Sequence, residues 1–319
     1  MHRIAAACLA AAVAIGPAAL AQSYPSKPVR LVVPFPAGGT TDIVTRAMAP
    51  VLAESLGQPV IVENKPGAGG TIGTAEAARA VPDGYTLLVV FDNHAVNHYL
   101  YKNLPYDPFK AFEPVSLMVQ SPLLLVGAMR FPPRSVEELV DYGRANRGRL
   151  NYGSTGTGNS SHLASLLLVQ RGGIEAVHVP YKGGGPLVND LLGGQVDFAF
   201  ASLPLFVQYV KGGKLRALGV AGRERVPQLP DVPTVAEALP GFEAQSWVGM
   251  LAPANTPQPV VARLAREVGI ALGQTELKAR LLAQGFVVVA STPEQFGAYL
   301  RAESDKWGRV IRDLNVTLE

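Results

Sequence analysis

Two loops rich in glycine and hydroxyl side chains each separate an apolar segment from a helical pattern. Residues 34–42 read PFPAGGTTD, and residues 151–162 read NYGSTGTGNSSH. Such a loop exposes backbone N–H groups at the start of a helix, where the helix dipole adds partial positive charge. Both loops therefore predict the binding of an anion by neutral donors, and a carboxylate is the anion that we expect.

The candidate binding residues supply donors or walls to these loops and to the ends of neighbouring strands. Gly38 and Gly39 allow the sharp first turn, and Thr40 or Thr41 is expected to cap the helix that follows. The two loops contribute Phe35, Pro36, Ala37, Gly38, Gly39, Thr40 and Asp42, and then Ser154, Thr157, Gly158, Asn159, Ser160 and His162. The strand ends contribute Asp92, Asn93, His94, Tyr181, Ala201 and Ser202.

Common catalytic and cofactor motifs do not fit these segments. The first loop lacks the lysine of a nucleotide-binding P-loop, and Tyr152 stands where a nucleophile elbow needs glycine. His94 and His98 have the spacing of helical zinc ligands, but the glutamate of the H-E-x-x-H motif is absent. Residues 60–73 resemble a dinucleotide fingerprint, although the letters NKP separate its first glycine from the strand. We therefore predict no catalytic residue, no metal and no cofactor.

The composition excludes several classes of protein. The 319-residue chain has a formal net charge of +3 with interspersed charges, which argues against nucleic acid and membrane-surface partners. A short basic start, an apolar run and the letters ALA predict a signal peptide over residues 1–21, cleaved after Ala21. The only cysteine, Cys8, lies in this segment, so the mature chain would have no disulfide and no thiolate metal site. We therefore expect a periplasmic protein.

Short apolar segments alternate with helical patterns along almost the whole mature chain. Strands are predicted at residues 29–33, 60–63, 86–91, 123–127, 150–153, 177–180, 196–200 and 215–221. Their continuous apolar character is typical of strands buried on both faces, so the expected fold class is α/β with largely parallel sheets. Strand–loop–helix units at residues 29–49 and 150–171 share one order, which suggests two similar domains with a cleft between them.

Further segments complete the predicted organisation. Residues 115–122 and 245–253 are apolar runs bounded by proline, and we predict that both are strands crossing between the domains. Pro50 is expected to kink or restart the first helix. Outer helices are predicted at residues 260–272, 275–282 and 293–310.

Nine segments, in one order, resemble the Bug-type solute receptors, the extracytoplasmic binding proteins of tripartite tricarboxylate transporters. They run from Tyr24 to about Trp307 and include YPSKPVRLVVPFPAGGTTD, GQPVIVENKPGAGGTIG, LNYGSTGTGNSSHLA and VHVPYKGGGPLVNDLLGGQVD. The resemblance implies a periplasmic binding protein type II fold, or Venus flytrap, in which two α/β domains clamp a ligand. Residues 22–122 and 248–319 would form domain I, and residues 123–247 would form domain II.

The resemblance also implies how the ligand is held. In the family, backbone and hydroxyl donors of the two strand–helix loops bind a carboxylate, with ordered water on the domain I side. The family further lines its cleft from strand ends that match residues 92–94 and 201–202. Many relatives have Asp-Asn at the latter position and Ser or Thr at the former, whereas this chain has Ala201-Ser202 and Asp92-Asn93. An acid at Asp92 could repel a second carboxylate, accept a hydrogen bond from an ammonium or hydroxyl group, or point away.

The predicted function is the capture of a small carboxylate, without covalent change, and its delivery to the membrane subunits of a tripartite tricarboxylate transporter. An anion that bridges both loops favours the closed state, so binding would shift the population toward closure. Two alternatives stay open. One is a ligand-sensing periplasmic protein that signals to a membrane partner, and the other is an exported hydrolase or isomerase that uses His94 or His162. We expect a monomer.

Overall fold

A computed structural model describes residues 24–317 of the chain. The predicted signal peptide, residues 1–21, lies outside the described residues, and so does Cys8. Within the described range, strands and helices alternate in the mixed α/β pattern that the sequence predicts. No helix of this range is both long enough and apolar enough to cross a membrane.

The elements are numbered in chain order. The strands are β1 Val29–Val33, β2 Val60–Asn64, β3 Thr86–Phe91, β4 Phe112–Ala128, β5 Leu150–Ser154, β6 Ala176–Pro180, β7 Phe198–Ser202, β8 Leu215–Val220, β9 Gln245–Pro253 and β10 Val287–Val288. The helices are α1 Thr40–Leu56, α2 Thr71–Ala78, α3 Asn97–Leu100, α4 Val136–Ala145, α5 Ser160–Gly172, α6 Gly184–Leu192, α7 Leu203–Lys211, α8 Val235–Ala238, α9 Gln258–Gly273, α10 Thr275–Gln284 and α11 Pro293–Asp313. Two 3₁₀ turns, Ala68–Gly70 and Asp92–Ala95, precede α2 and α3.

The strands form one sheet that contains two similar parallel trios. The strand order is β2-β1-β3-β9-β4-β7-β5-β6, and β8 and β10 also pair with β4. In the first half, β1 lies parallel to β2 and β3; in the second half, β5 lies parallel to β6 and β7. The predicted symmetry is therefore present, since each glycine-rich loop leaves the middle strand of a trio and enters a helix.

Strand β4 joins the two halves. Its residues 112–122 pair antiparallel with β9, and its residues 123–128 pair antiparallel with β7 and β8. The predicted crossing segment 115–122 and the predicted strand 123–127 are thus parts of one strand. The expectation of largely parallel sheets is wrong in the middle of the molecule, because β4 leads to the second half and β9 leads back.

Burial differs between the central strands and the edge strands. Residues of β1, β3, β7 and β9 are almost all buried, as continuous apolar segments predict. The edge strands β2 and β6 are only half-buried, and Ile61 and Val177 are exposed. The prediction of burial on both faces is wrong for these two strands, because helices cover less of the sheet at its edges.

Helix α1 shows how the sequence builds the first half. Val44, Met48 and Leu52 recur at four-residue spacing and are fully buried in one apolar cluster with residues of β1 and β3. Each such side chain contributes roughly 1.5–3 kcal/mol of transfer free energy. The helix runs through Pro50, which is exposed, so the predicted restart is wrong; it ends at Gly57, whose φ of 67° is left-handed.

We expect Gly249→Ala in β9 to destabilise the protein by about 2–3 kcal/mol, because a Cβ atom there would overlap the buried ring of Phe296. The matched control is Gly269→Ala in α9, where a Cβ meets no atom within 4 Å. The control should stabilise the protein by roughly 0.5–1 kcal/mol, since glycine weakens a helix interior. Urea unfolding of both variants tests the pair, and equal stabilities would contradict this packing at β9.

Candidate functional site

The N-termini of α1, α5 and α7 meet where the two halves touch. The hydroxyl oxygens of Thr40, the first residue of α1, and Ser202, which precedes α7, are 3.0 Å apart. Asp92, which follows β3, accepts hydrogen bonds from Ser160, the first residue of α5. The Ser161 hydroxyl donates to the carbonyl oxygen of Phe200 and ties α5 to β7. Four predicted site residues therefore come together across the junction of the halves.

Asp42 fixes the conformation of the first loop, to which it belongs. Asp42 is 3 % exposed, and its Oδ2 accepts from the N–H of Gly38, whose φ is +80°. Its Oδ1 accepts from Asn64 at 2.9 Å and pairs with Arg46 at 2.8 Å. Asp42 thus fixes the turn that presents the N-terminus of α1. The residue that caps α1 is Gly39, without a side-chain cap, so the predicted capping by Thr40 or Thr41 is wrong.

The remaining residues of the first loop lie at the surface of the cleft. The Phe35 ring packs edge-on against Phe91 with centroids 5.9 Å apart. Its role as an apolar wall for a ligand stays a prediction. Pro36 and Ala37 are exposed, next to the half-buried Gly39.

The second loop is organised around His162. Asn159 caps α5 by accepting from the His162 N–H at 3.1 Å, and the His162 Nδ1 accepts from the Gly158 N–H at 3.1 Å. Burial lowers the pKa of His162 to about 3, with a smaller contribution from His178. The neutral ring therefore supports the loop as an acceptor. Thr157 is half-buried and faces no partner among the recorded hydrogen bonds of residues 24–317.

The sequence did not single out His178 of β6. Its ring stacks on His162 at 4.0 Å and on Tyr152 at 5.0 Å, and its Nε2 lies 2.7 Å from the Ser154 hydroxyl. The Ser154 hydroxyl donates to the carbonyl oxygen of Gly156, so the His178 Nε2 must supply the proton of their shared bond. The pair therefore supports the loop. The pairing of β5 with β6 sets Tyr152 opposite His178, and this tertiary register has no signal in the sequence.

Asp92 is a buried carboxylate at the junction. Burial raises its pKa to about 7 against the opposing effect of the Ser160 hydrogen bonds, and the charge of Glu303 raises it further. No arginine or lysine of the described residues forms an ion pair with it. Asp92 thus faces the second half as an acid with neutral partners.

The residues that follow Asp92 turn back into the first half. Asn93 donates to the carbonyl oxygen of Gly69 at 2.6 Å, and His94 Nε2 lies 3.1 Å from the carbonyl oxygen of Pro108. Burial lowers the pKa of His94 to about 4. Phe35, Asn93 and His94 line a space of about 160 Å³ that is too narrow to admit a water-sized sphere. These side chains pack together behind the first loop.

Two further predicted positions belong to the second half. The Tyr181 hydroxyl donates to Asp190 at 2.6 Å, and desolvation together with this acid raises the pKa of Tyr181 to about 12. Ala201 is buried in β7 beside Ser202. Among residues 24–317, no group of three or more His, Cys, Asp or Glu side chains is placed to hold a metal ion. The arrangement offers helix N-termini, hydroxyl groups and two buried acids, of which Asp42 pairs with Arg46 and Asp92 has neutral partners.

The sequence model of one protein family, the tripartite tricarboxylate transporter family receptors, matches residues 44–316. The chain belongs to this family. It is a solute-binding receptor, and its fold is that of the two-domain periplasmic binding proteins, as the resemblance implied.

Solved structures agree with this membership. The periplasmic binding protein BugD is 39 % identical to the receptor, with a TM-score of 0.87 over 92 % of this chain and 100 % of BugD. An R. palustris protein with adipate is 34 % identical, with a TM-score of 0.89 over 92 % and 100 % of the two chains. MatC from Rhodopseudomonas palustris, with bound malate, is 37 % identical, with a TM-score of 0.85 over 90 % and 100 %. Receptors similar to this one therefore hold carboxylates.

Proposed function

We propose that the receptor captures a small carboxylate in the periplasm and delivers it, unchanged, to the membrane subunits of a tripartite transporter. The observation that carries the proposal is the meeting of the α1 and α7 N-termini at the junction, with the hydroxyl oxygens of Thr40 and Ser202 3.0 Å apart. Helix N-termini bind anions through free N–H groups and the helix dipole. The adipate and malate found in similar proteins support a carboxylate as the anion.

The same geometry suggests how binding drives closure. One set of donors lies at the N-terminus of α1 and includes the Thr40 hydroxyl of the first half; the other includes the Ser202 hydroxyl of the second half. A ligand that contacts both sets binds the closed state better than the open state, so it shifts the population toward closure. A transporter could then distinguish loaded from empty receptor by shape, and a monomer suffices for this.

We propose that domain I comprises residues 22–122 and 248–319 and that domain II comprises residues 123–247. The change of partners along β4 supports the first boundary, because residues 112–122 pair with β9 and residues 123–128 pair with β7 and β8. Strand β9 begins at Gln245 and supports the second boundary. The two crossing strands would then act as the hinge.

The geometry does not favour an enzyme that uses the histidines. His94 is buried beside Pro108, and the His162 Nδ1 is occupied by a backbone N–H. Burial also lowers the pKa of both rings to about 4 and about 3, so neither is tuned to the pH near neutrality at which a general base works best. Holding the ligand is the function that these groups support.

Thermal unfolding tests the proposal. The mature protein is unfolded and refolded to remove bound ligand, and then melted with mono-, di- and tricarboxylates and aromatic acids. An acid at about a hundred times its Kd should add roughly 2.7 kcal/mol of stability. For domains of this size, the melting temperature should rise by roughly 5–10 °C.

The control variants separate cleft binding from general effects. Gly39→Leu places a side chain in the first loop, where a Cβ atom meets only the Pro36 carbonyl oxygen at 3.4 Å, so the fold is preserved. Gly39→Leu should abolish the rise in melting temperature that the acid causes. Gly273→Leu, at the exposed end of α9 with no atom within 4 Å, should keep it. A refolded protein that no acid stabilises would contradict the proposal.

A further inference from the structure

Asp92 crosses the junction and caps a helix of the other half. Its Oδ1 accepts from the Ser160 N–H at 3.0 Å, and its Oδ2 accepts from the Ser160 hydroxyl at 2.6 Å. The two residues are 7 % and 4 % exposed. The protein therefore supplies its own carboxylate at the N-terminus of α5, where a ligand carboxylate would otherwise find these donors.

The other donors around this N-terminus are also used internally. The His162 N–H donates to Asn159, the Gly158 N–H donates to the His162 ring, and the Thr155 N–H donates to the Ser161 hydroxyl. A second negative charge beside α5 would thus meet Asp92 with few free donors to compensate. Glu303, whose charge also acts on Asp92, would repel it further.

The N-terminus of α1 has a different environment. Its contact with the second half is the neutral hydroxyl of Ser202. Among residues 24–317, no acidic side chain of the second half forms a hydrogen bond to the first loop. The acid within that loop, Asp42, is neutralised by Arg46 and held by Asn64. A single ligand carboxylate therefore fits the α1 side of the cleft.

We infer that Asp92 determines specificity: the ligand carries one carboxylate, bound at the first loop, and its other end is a neutral or cationic hydrogen-bond donor that Asp92 accepts. The inference rests on the proposed function and names the ligand class within it. A ligand ammonium or hydroxyl group would share Asp92 with Ser160 and gain a hydrogen bond to a charged acceptor, which is stronger than one between neutral groups. A dicarboxylate would instead place like charges together in a buried site.

Isothermal titration calorimetry on the refolded mature protein tests the inference at about pH 8, where Asp92 is ionised. The probes are adipate and succinate, each compared with the ω-amino and ω-hydroxy monocarboxylates of the same chain length. The wild-type protein should bind an ω-amino or ω-hydroxy acid at least roughly tenfold more tightly than the matching dicarboxylate. Asp92→Asn should lose this preference and gain roughly tenfold for the dicarboxylate.

Control variants keep the result interpretable. Asp141→Asn removes an exposed acid of α4 and should bind like the wild type. Circular dichroism confirms folding, and Asp92→Ser replaces Asp92→Asn if the latter does not fold. Tighter binding of dicarboxylates by the wild type would overturn the inference and leave the proposed function intact. If wild type and variant alike bind none of these acids, the inference fails, and the proposed function fails as well only if no acid of the wider thermal panel stabilises the protein.

Discussion

Acidification from about pH 7 to about pH 4.5 is expected to weaken the folded protein through its buried histidines. Burial lowers the pKa of His94 to about 4 and that of His162 to about 3, whereas both titrate near 6.5 when unfolded. The stability that they contribute is therefore complete above about pH 6.5 and is lost as the pH falls toward these folded values. At about pH 4.5, each ring should lower the free energy of unfolding by roughly 2–3 kcal/mol.

Protonation of Asp92 on acidification stabilises the folded protein, which is opposite to the effect of the histidines. Its pKa is raised to about 7 in the folded protein, so its contribution is complete below the unfolded value of about 3.9 and is lost as the pH rises toward 7. Between about pH 7 and 4.5, protonation of Asp92 raises the free energy of unfolding by roughly 3 kcal/mol. The losses from His94 and His162 outweigh this gain, and His178, whose pKa burial lowers to about 4, adds to them. The net result for the wild type is a loss of a few kcal/mol on acidification.

Variants separate these contributions. Urea unfolding is measured across this pH range for the wild type, His162→Gln and Asp92→Asn. The loss on acidification should shrink by roughly 2–3 kcal/mol in His162→Gln and grow by a similar amount in Asp92→Asn. The comparison uses slopes with pH, so a uniform loss of stability in either variant does not affect it. Identical slopes in all three proteins would show that these groups are not buried as described.

Trp247→Ala is expected to produce the largest loss of stability from a single side chain, about 3–5 kcal/mol. Trp247 is 1 % exposed on the crossing strand β9, and it packs edge-on against Phe296 and Tyr299 of α11 with centroids 5.8 Å away in both cases. Its removal leaves a cavity between β9 and α11. Both halves should therefore melt at a lower temperature, because their connection is weakened.

The matched variant is Trp247→Phe, which keeps an aromatic ring in the same place. Since it removes less volume, it should cost less than half as much as the alanine variant. Calorimetric unfolding measures both variants. If Trp247→Ala loses less than about 1 kcal/mol, the packing of α11 on β9 cannot hold the crossing strands as described.

The repeated units of the fold could be predicted because local signals agree there. The apolar segment before each glycine-rich loop, the loop itself and the four-residue spacing of Val44, Met48 and Leu52 all indicate strand, turn and helix. The single long strand β4 was harder, because Pro114 and Pro122 interrupt its apolar pattern and suggest boundaries. Its pairing with β9 across the middle of the sheet is a tertiary feature that no local pattern contains.

The site could be predicted only as a set of loops. The loop residues and Asp92 were recognisable as polar groups at strand ends, which meet at one edge of parallel sheets. The direction in which each of these side chains points could not be predicted. Asp92 and Ser160 are 68 positions apart, and Asn93 and His94 turn inward immediately after Asp92. The direction of each side chain depends on how the two halves pack. The structure was therefore needed to show that Asp92 faces α5 whereas Asn93 and His94 do not.

We propose that the receptor holds a carboxylate without changing it. Titration calorimetry of the refolded protein with the acid that gives the largest thermal shift measures this directly, followed by NMR of the released ligand. We expect one binding site per chain, loss of binding in Gly39→Leu, and a ligand that is recovered intact. Absence of binding heat for every acid, or recovery of a chemically altered ligand, would contradict it.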